Sequence, residues 1–115
     1  PRLLAAYSRC VRIRRKAEGE GSHPAPQVDP TRFTTEAEGA LWTAVQEARR
    51  AVDPEGPVTD LVQALERLEP VITRFFEEVL VMHEEEVLRR NRLALLQAIA
   101  DLAQGIADLS RLEGF

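Results

Sequence analysis

Residues 83–112 read HEEEVLRRNRLALLQAIADLAQGIADLSRL. Leu88, Leu95, Ile99, Leu102, Ile106 and Leu109 recur at steps of three, four and seven. That spacing lays one apolar stripe along a helix of about eight turns and predicts a helix over Glu84–Leu112. Glu84, Glu85 and Glu86 suit the positive end of its dipole. Glu85 with Arg89 and Glu86 with Arg90 fall at i,i+4 in the favourable order. Gly114, after Arg111, signals the end. Two residues disturb the pattern. At about 100° per residue, Asn91 and Arg92 point toward the apolar side, where an unpaired polar group is costly. Two roles are open to them: a buried pair, internally satisfied, that fixes helix register, or part of a recognition surface. For Arg92 the buried role is favoured.

Working outward, the preceding segment carries Leu61, Leu65 and Leu68, then Val71, Ile72, Phe75, Phe76, Val79 and Leu80. Thr59 is the expected N-cap. Pro70 removes one helical hydrogen bond, so a break or kink is expected around Leu68–Glu69. Phe75-Phe76 reads as the aromatic centre of the core; base stacking is the weaker alternative, because adjacent residues do not share a helix face. Val81-Met82-His83 forms a tight link into the last helix. Upstream, Thr35-x-x-Glu38 is a capping box opening a helix to about Val52. Its small core face is Ala37, Ala40, Leu41, Ala44, Ala48 and Ala51, with Trp42 off the stripe, either filling a second seam or half exposed. Asp53-Pro54-Glu55-Gly56-Pro57 closes that helix in a turn.

The amino-terminal helix is expected over about Arg2–Ala17, with Leu4, Tyr7 and Val11 toward the core and Leu3 and Cys10 beside them. Arg2, Arg9, Arg12 and Lys16 line one stripe away from it. Residues 1–16 hold six basic side chains and no acid, whereas the other 99 residues hold nine basic and nineteen acidic ones. The net charge of −4 therefore hides a positive end that a phosphate surface would feel locally. This stripe reads either as a solvated face or as a phosphate-contacting one. Between it and the capping box, residues 18–30 (EGEGSHPAPQVDP) form a connector in which Gly and Pro forbid a helix. Its length suggests a mobile or functional segment, with His23 a solvated loop residue.

Hydrophobic content of 44% with 5% aromatics suits an Ala/Leu-rich helical core rather than a β-sandwich. The reading is one all-α domain over residues 1–115, a bundle of four to five helices with a long C-terminal helix. The start at Pro1, inside a helical pattern, suggests a piece of a longer chain. A single cysteine excludes an internal disulfide framework and fits a reducing, cytoplasmic compartment. No apolar run reaches membrane-span length, so no membrane partner is expected. No catalytic set is present: Cys10, His23 and His83 fall short of a zinc pattern, and no Glu-x-x-His pair marks a di-iron bundle. An acidic helix start accounts for His83 and Glu84–Glu86 more simply than a weak divalent ion. There is no glycine-rich phosphate loop or G-x-S-x-G elbow, and no metal or cofactor is expected.

The residues VLVMHEEEVLRRNRLALLQAIADLAQGIADLSRL resemble the C-terminus of the bacterial glycyl-tRNA synthetase beta subunit. The likeness rests on Phe75-Phe76, Val79, Val81-Met82, Leu88-Arg89, Asn91-Arg92-Leu93, Leu95-Leu96 and Ala107-Asp108-Leu109-Ser110. YSRCVRIRRK resembles that family's basic helix, and Val28-Asp29, Phe33, Glu38, Ala40 and Leu41 its next segment. The match is weak between about Val52 and Leu65. The resemblance implies an anticodon-binding domain (DALR-like), of the same broad class as the helical anticodon-binding domain of arginyl-tRNA synthetase. It implies non-catalytic gripping of the anticodon arm of glycine tRNA, with the remainder of the beta subunit and the alpha subunit as partners. The phosphate contacts would come from Arg9, Arg12, Arg15 and Lys16, and the base contacts from Arg89, Arg90 and Asn91. The competing expectation is a helical protein-docking module presenting Ala-rich helix two and Trp42.

Overall fold

The computed structural model describes the backbone of residues 2–53 and 55–113, and the side chains of 5–53, 55–57, 59–102, 104 and 105. Four α-helices account for most of it: α1 (Arg2–Gly19), α2 (Glu36–Ala51), α3 (Val58–Glu78) and α4 (Glu86–Glu113). A 3-10 turn, Pro30–Arg32, precedes α2, and no strand occurs among the described residues. The domain is all-α, as the periodicities require.

Local chemistry sets most helix ends. The Thr35 hydroxyl accepts from the Glu38 amide at 3.2 Å, and Glu38 Oε1 accepts from the Thr35 amide at 3.2 Å. The capping box therefore forms in full. At the end of α1, the amides of Ser22 and Gly21 donate to the carbonyls of Ala17 and Glu18 at 2.8 and 3.0 Å. Gly21 has φ of +87°. These two bonds and the left-handed residue make a Schellman cap, which favours glycine at Gly21. Thr59 is not the cap of α3; the helix starts at Val58 after an extended Pro57, with no side-chain bond.

No break occurs at Pro70: α3 continues as one helix through it. Pro70 lies on the exposed side, so the missing bond faces solvent. Leu68, Ile72 and Phe75 are buried across it and hold both halves to one core. α3 packs most extensively on α2. Arg67 lies near Glu47 and Arg74 near Glu36, so the two helices run antiparallel. α1 packs on α4 and α3.

Two core faces differ from the periodic reading. In α1 the inward stripe is Cys10 and Ala17, with Ala6, Tyr7 and Ile13 against the core. Val11 lies outside that packing, and the side chains of Leu3 and Leu4 lie outside the described residues. The stripe is rotated because small residues allow close approach to α4. In α4, Asn91–Leu96 are all buried, followed by Ala98, Ile99 and Leu102. Neighbours on several sides bury Asn91–Leu96 all round rather than along one stripe. The expectations for Ile106, Leu109 and Gly114 fall outside the described side chains.

Candidate nucleic-acid interface

The cations of α1 are built outward by its core stripe. With Cys10, Ile13 and Ala17 turned inward, Arg9, Arg12, Arg15 and Lys16 are exposed. Among the described residues no carboxylate pairs with any of these four. Arg14 is different: it is half-buried and donates to Glu18 at 2.9 Å. Arg9, Arg12 and Lys16 share a surface depression with Ile13. The Arg9 guanidinium sits over the Phe76 ring, 4.4 Å from its centroid, a cation–π contact that pre-positions the charge.

Phe75 and Phe76 therefore divide their work. Phe75 is fully buried; Phe76 is half-buried, meets it edge-on at 5.6 Å and carries Arg9 over its ring. Cys10 is a core residue. Burial pushes its thiol up to about 12, against weaker opposing pulls from a backbone hydrogen bond and Arg9.

The polar residues at the start of α4 have another fate. Asn91 is 2% exposed; its Oδ1 accepts from the Asp29 amide at 2.7 Å and its Nδ2 donates to the Asp29 carbonyl at 3.0 Å. Both ends of the Asn91 amide thus hold the connector, the buried and internally satisfied role of the two open to it. The connector is fastened rather than loose. The Ala25 amide donates to the Arg90 carbonyl at 2.9 Å and Arg90 Nε donates to the His23 carbonyl at 3.4 Å.

Arg89 and Arg90 are half-buried. Neither forms the expected pair with Glu85 or Glu86 among the described contacts. Arg89 Nη1 instead donates to the carbonyls of His83 and Glu84 at 3.1 and 3.3 Å, tying down the link before α4. His83 Nδ1 accepts from the Glu85 amide at 3.0 Å, so His83 shapes the same link.

Arg92 is the hub. It donates to Glu38 Oε2 and Oε1 at 3.4 Å each, to Thr34 Oγ1 at 3.0 Å and to the Leu80 carbonyl at 2.7 Å. Glu38 is fully buried, and Arg92 is 4% exposed. Burial pushes the Glu38 carboxyl up, but the Thr34 amide, Arg92 and Thr35 outweigh it and hold it below the usual carboxylate range. One carboxylate thus closes the capping box and neutralises the buried arginine. Sequence reasoning found the box and the burial of Arg92, but not that Glu38 joins them.

Much of the alanine face of α2 packs into the core. Ala37, Ala44 and Ala48 are buried. Trp42 is half-buried in a cavity of about 320 Å³ with Pro26, Val28 and Ala98, and Arg49 lies 5.4 Å from its ring centroid.

Residues 3–109 match the DALR anticodon binding domain. This chain belongs to that family. The DALR domain is also 42% identical over 113 residues to the glycine-tRNA ligase beta subunit of Aromatoleum aromaticum, covering 96% of this chain and 16% of that protein. It is 37% identical over 115 residues to the chloroplastic/mitochondrial glycine-tRNA ligase 2 of Arabidopsis thaliana, covering 100% of this chain and 10% of the plant protein. The match to the Levilactobacillus brevis beta subunit is 36% over 110 residues, covering 96% of this chain and 15% of that protein. The DALR domain thus spans about a tenth to a sixth of the length of these relatives. No described helix is long and apolar enough to cross a membrane.

Proposed function

We propose that this DALR domain is the tRNA-gripping module of a glycine-tRNA ligase beta subunit and holds the anticodon arm of glycine tRNA. The observation that carries this is the exposed set Arg9, Arg12, Arg15 and Lys16, with no carboxylate partner among the described residues, on an otherwise acidic domain. Phosphate contacts position an RNA, and splayed bases are read by stacking and edge contacts. The α1 face supplies the first. Arg89 and Arg90 are half-buried, each with one nitrogen bonded to backbone carbonyls, so their part is to shape the ground beside the arm. With the arm held here, the distant acceptor end would reach a catalytic centre elsewhere in the ligase. The remainder of the beta subunit and the alpha subunit are the protein partners this reading implies. A free, buried Cys10 fits a reducing compartment such as the cytoplasm.

The test is a salt titration of binding to glycine tRNA, in the whole natural protein carrying this sequence. Each phosphate contact contributes roughly −0.7 to −0.9 to the slope of log affinity against log salt. Replacing Arg9, Arg12 and Lys16 together by alanine is expected to flatten the slope by about two units and weaken all tRNAs alike. An unchanged slope with the fold intact would reduce the α1 face to a solvated surface.

A further inference from the structure

Beside the α1 cations lies a groove of about 440 Å³ between α1 and the chain leaving α3. Its size falls within the range of small-molecule clefts, about 300–1,000 Å³. Arg9 and Lys16 stand on one wall, with Glu20 at the end of that wall, and Phe76, Leu80 and Met82 line the other. Leu80 is 65% exposed and Met82 36% exposed, two neighbours among the few large apolar side chains open to solvent.

Their exposure is not the result of a slack loop. The Leu80 carbonyl is held by buried Arg92 at 2.7 Å, and the His83 carbonyl by Arg89 at 3.1 Å. Val79 and Val81, on either side of Leu80, are buried at 6% exposure. The chain is thus anchored at alternate residues, and Leu80 and Met82 are presented outward between the anchors. An apolar wall facing two cations fits a ligand with a flat apolar part and an anionic part. A nucleotide has both, and unstacked bases of RNA loops pack against apolar and aromatic side chains and arginine planes.

We infer that this groove takes one unstacked nucleotide of the bound RNA, its base against Leu80 and Met82 beside Phe76 and its phosphate on Arg9 and Lys16. The inference rests on the tRNA-binding reading and narrows it to one subsite. Arg9 is central to it. Over Phe76 its guanidinium faces the groove with no carboxylate partner among the described residues, so a phosphate meets an already oriented cation. Arg89 and Arg92 touch no nucleotide; they are positioning residues that act through the carbonyls of the chain bearing Leu80 and Met82.

The experiment is a double-mutant cycle with the whole natural protein and the anticodon stem-loop of glycine tRNA, with loop bases replaced one at a time by abasic sites. Leu80→Ser leaves the carbonyl held by Arg92 in place, and Met82→Ser is a second variant at another exposed position; circular dichroism checks both folds. One abasic position is expected to weaken wild-type binding about tenfold, the scale of one stacked base. Leu80→Ser should weaken the intact loop about tenfold and bind that abasic loop no worse than the intact one, with the salt slope unchanged. Met82→Ser should show the same loss of discrimination. Steep salt dependence with no coupling between Leu80 or Met82 and any loop base would overturn the groove assignment and leave the tRNA reading standing. No wild-type binding to the stem-loop would sink both. Unchanged RNA binding with altered subunit assembly in Leu80→Ser would make the groove a protein contact and overturn the nucleotide.

Discussion

The start of α4 and the outer face of α1 hold basic side chains in opposite conditions. Arg92 is buried, paired with Glu38 and bonded to Thr34 and Leu80. Arg9, Arg12 and Lys16 are exposed and pair with no carboxylate among the described residues. The difference shows where charge serves the fold and where it is free for a partner. A buried charge must be matched inside the molecule, because transfer from water is costly. An exposed one keeps its water and can exchange it for a phosphate. Asn91 belongs with Arg92, since both ends of its amide are engaged.

The sharpest way to break this contrast is Arg92→Ala. It leaves Glu38 buried without its cation, and such losses cost about 3–5 kcal/mol. Urea denaturation should show destabilisation of that order; a change within about 0.5 kcal/mol, the ordinary range for surface substitutions, would place the pair at the surface in effect. The pH profile sharpens the same point. The folded Glu38 carboxyl lies below its ordinary value of 4.5, so the unfolded chain binds the proton first as acid is added. Its stabilisation is complete above that ordinary value and is lost as pH falls through the lower folded one. Glu38→Gln should lose stability at pH 7 and show a flatter acid limb in thermal melts; an acid limb as steep as wild type would assign it to other carboxylates.

Asn91→Ala comes next, at roughly 1–3 kcal/mol, because it leaves the Asp29 amide and carbonyl without their partner. Hydrogen exchange should quicken at the Asp29 and Ala25 amides. Unchanged exchange there would mean that the connector holds without Asn91. The smallest stability effect belongs to the other side of the comparison. Alanine at Arg9, Arg12 and Lys16 should cost no more than about 1 kcal/mol at each site in urea, although the triple variant changes RNA binding most. A cooperative loss well beyond that would show that the α1 face also supports the fold, through Arg9 on Phe76.

Much of the architecture was legible because it depends on neighbours in the chain. Helical periods, the Thr35–Glu38 box and the turn after α2 are set by residues within a few positions of one another, where backbone geometry fixes who can meet whom. The same locality explains why no break occurs at Pro70 although one was open: the local rule records the lost hydrogen bond, while burial of Leu68, Ile72 and Phe75 on one face keeps the helix continuous. The α1 stripe was rotated for a related reason. Val11 is larger, but small Cys10 and Ala17 are buried, with Ala6, Tyr7 and Ile13 against the same core, where close packing rewards a narrow side chain.

What the sequence by itself determined was the helical class, the exposed basic face of α1 and the presence of two polar residues where α4 should be apolar. Their partners were decided by tertiary structure alone. Arg92 meets a carboxylate 54 residues away, and Asn91 meets a backbone segment 62 residues away. Nothing in a helical period specifies such pairings, because they depend on which ends of separate helices the packing brings together. The groove at Leu80 and Met82 was hidden for the same reason: its walls come from distant segments, and the fold holds its apolar side open through bonds from arginines to backbone carbonyls, which carry no side-chain identity to read.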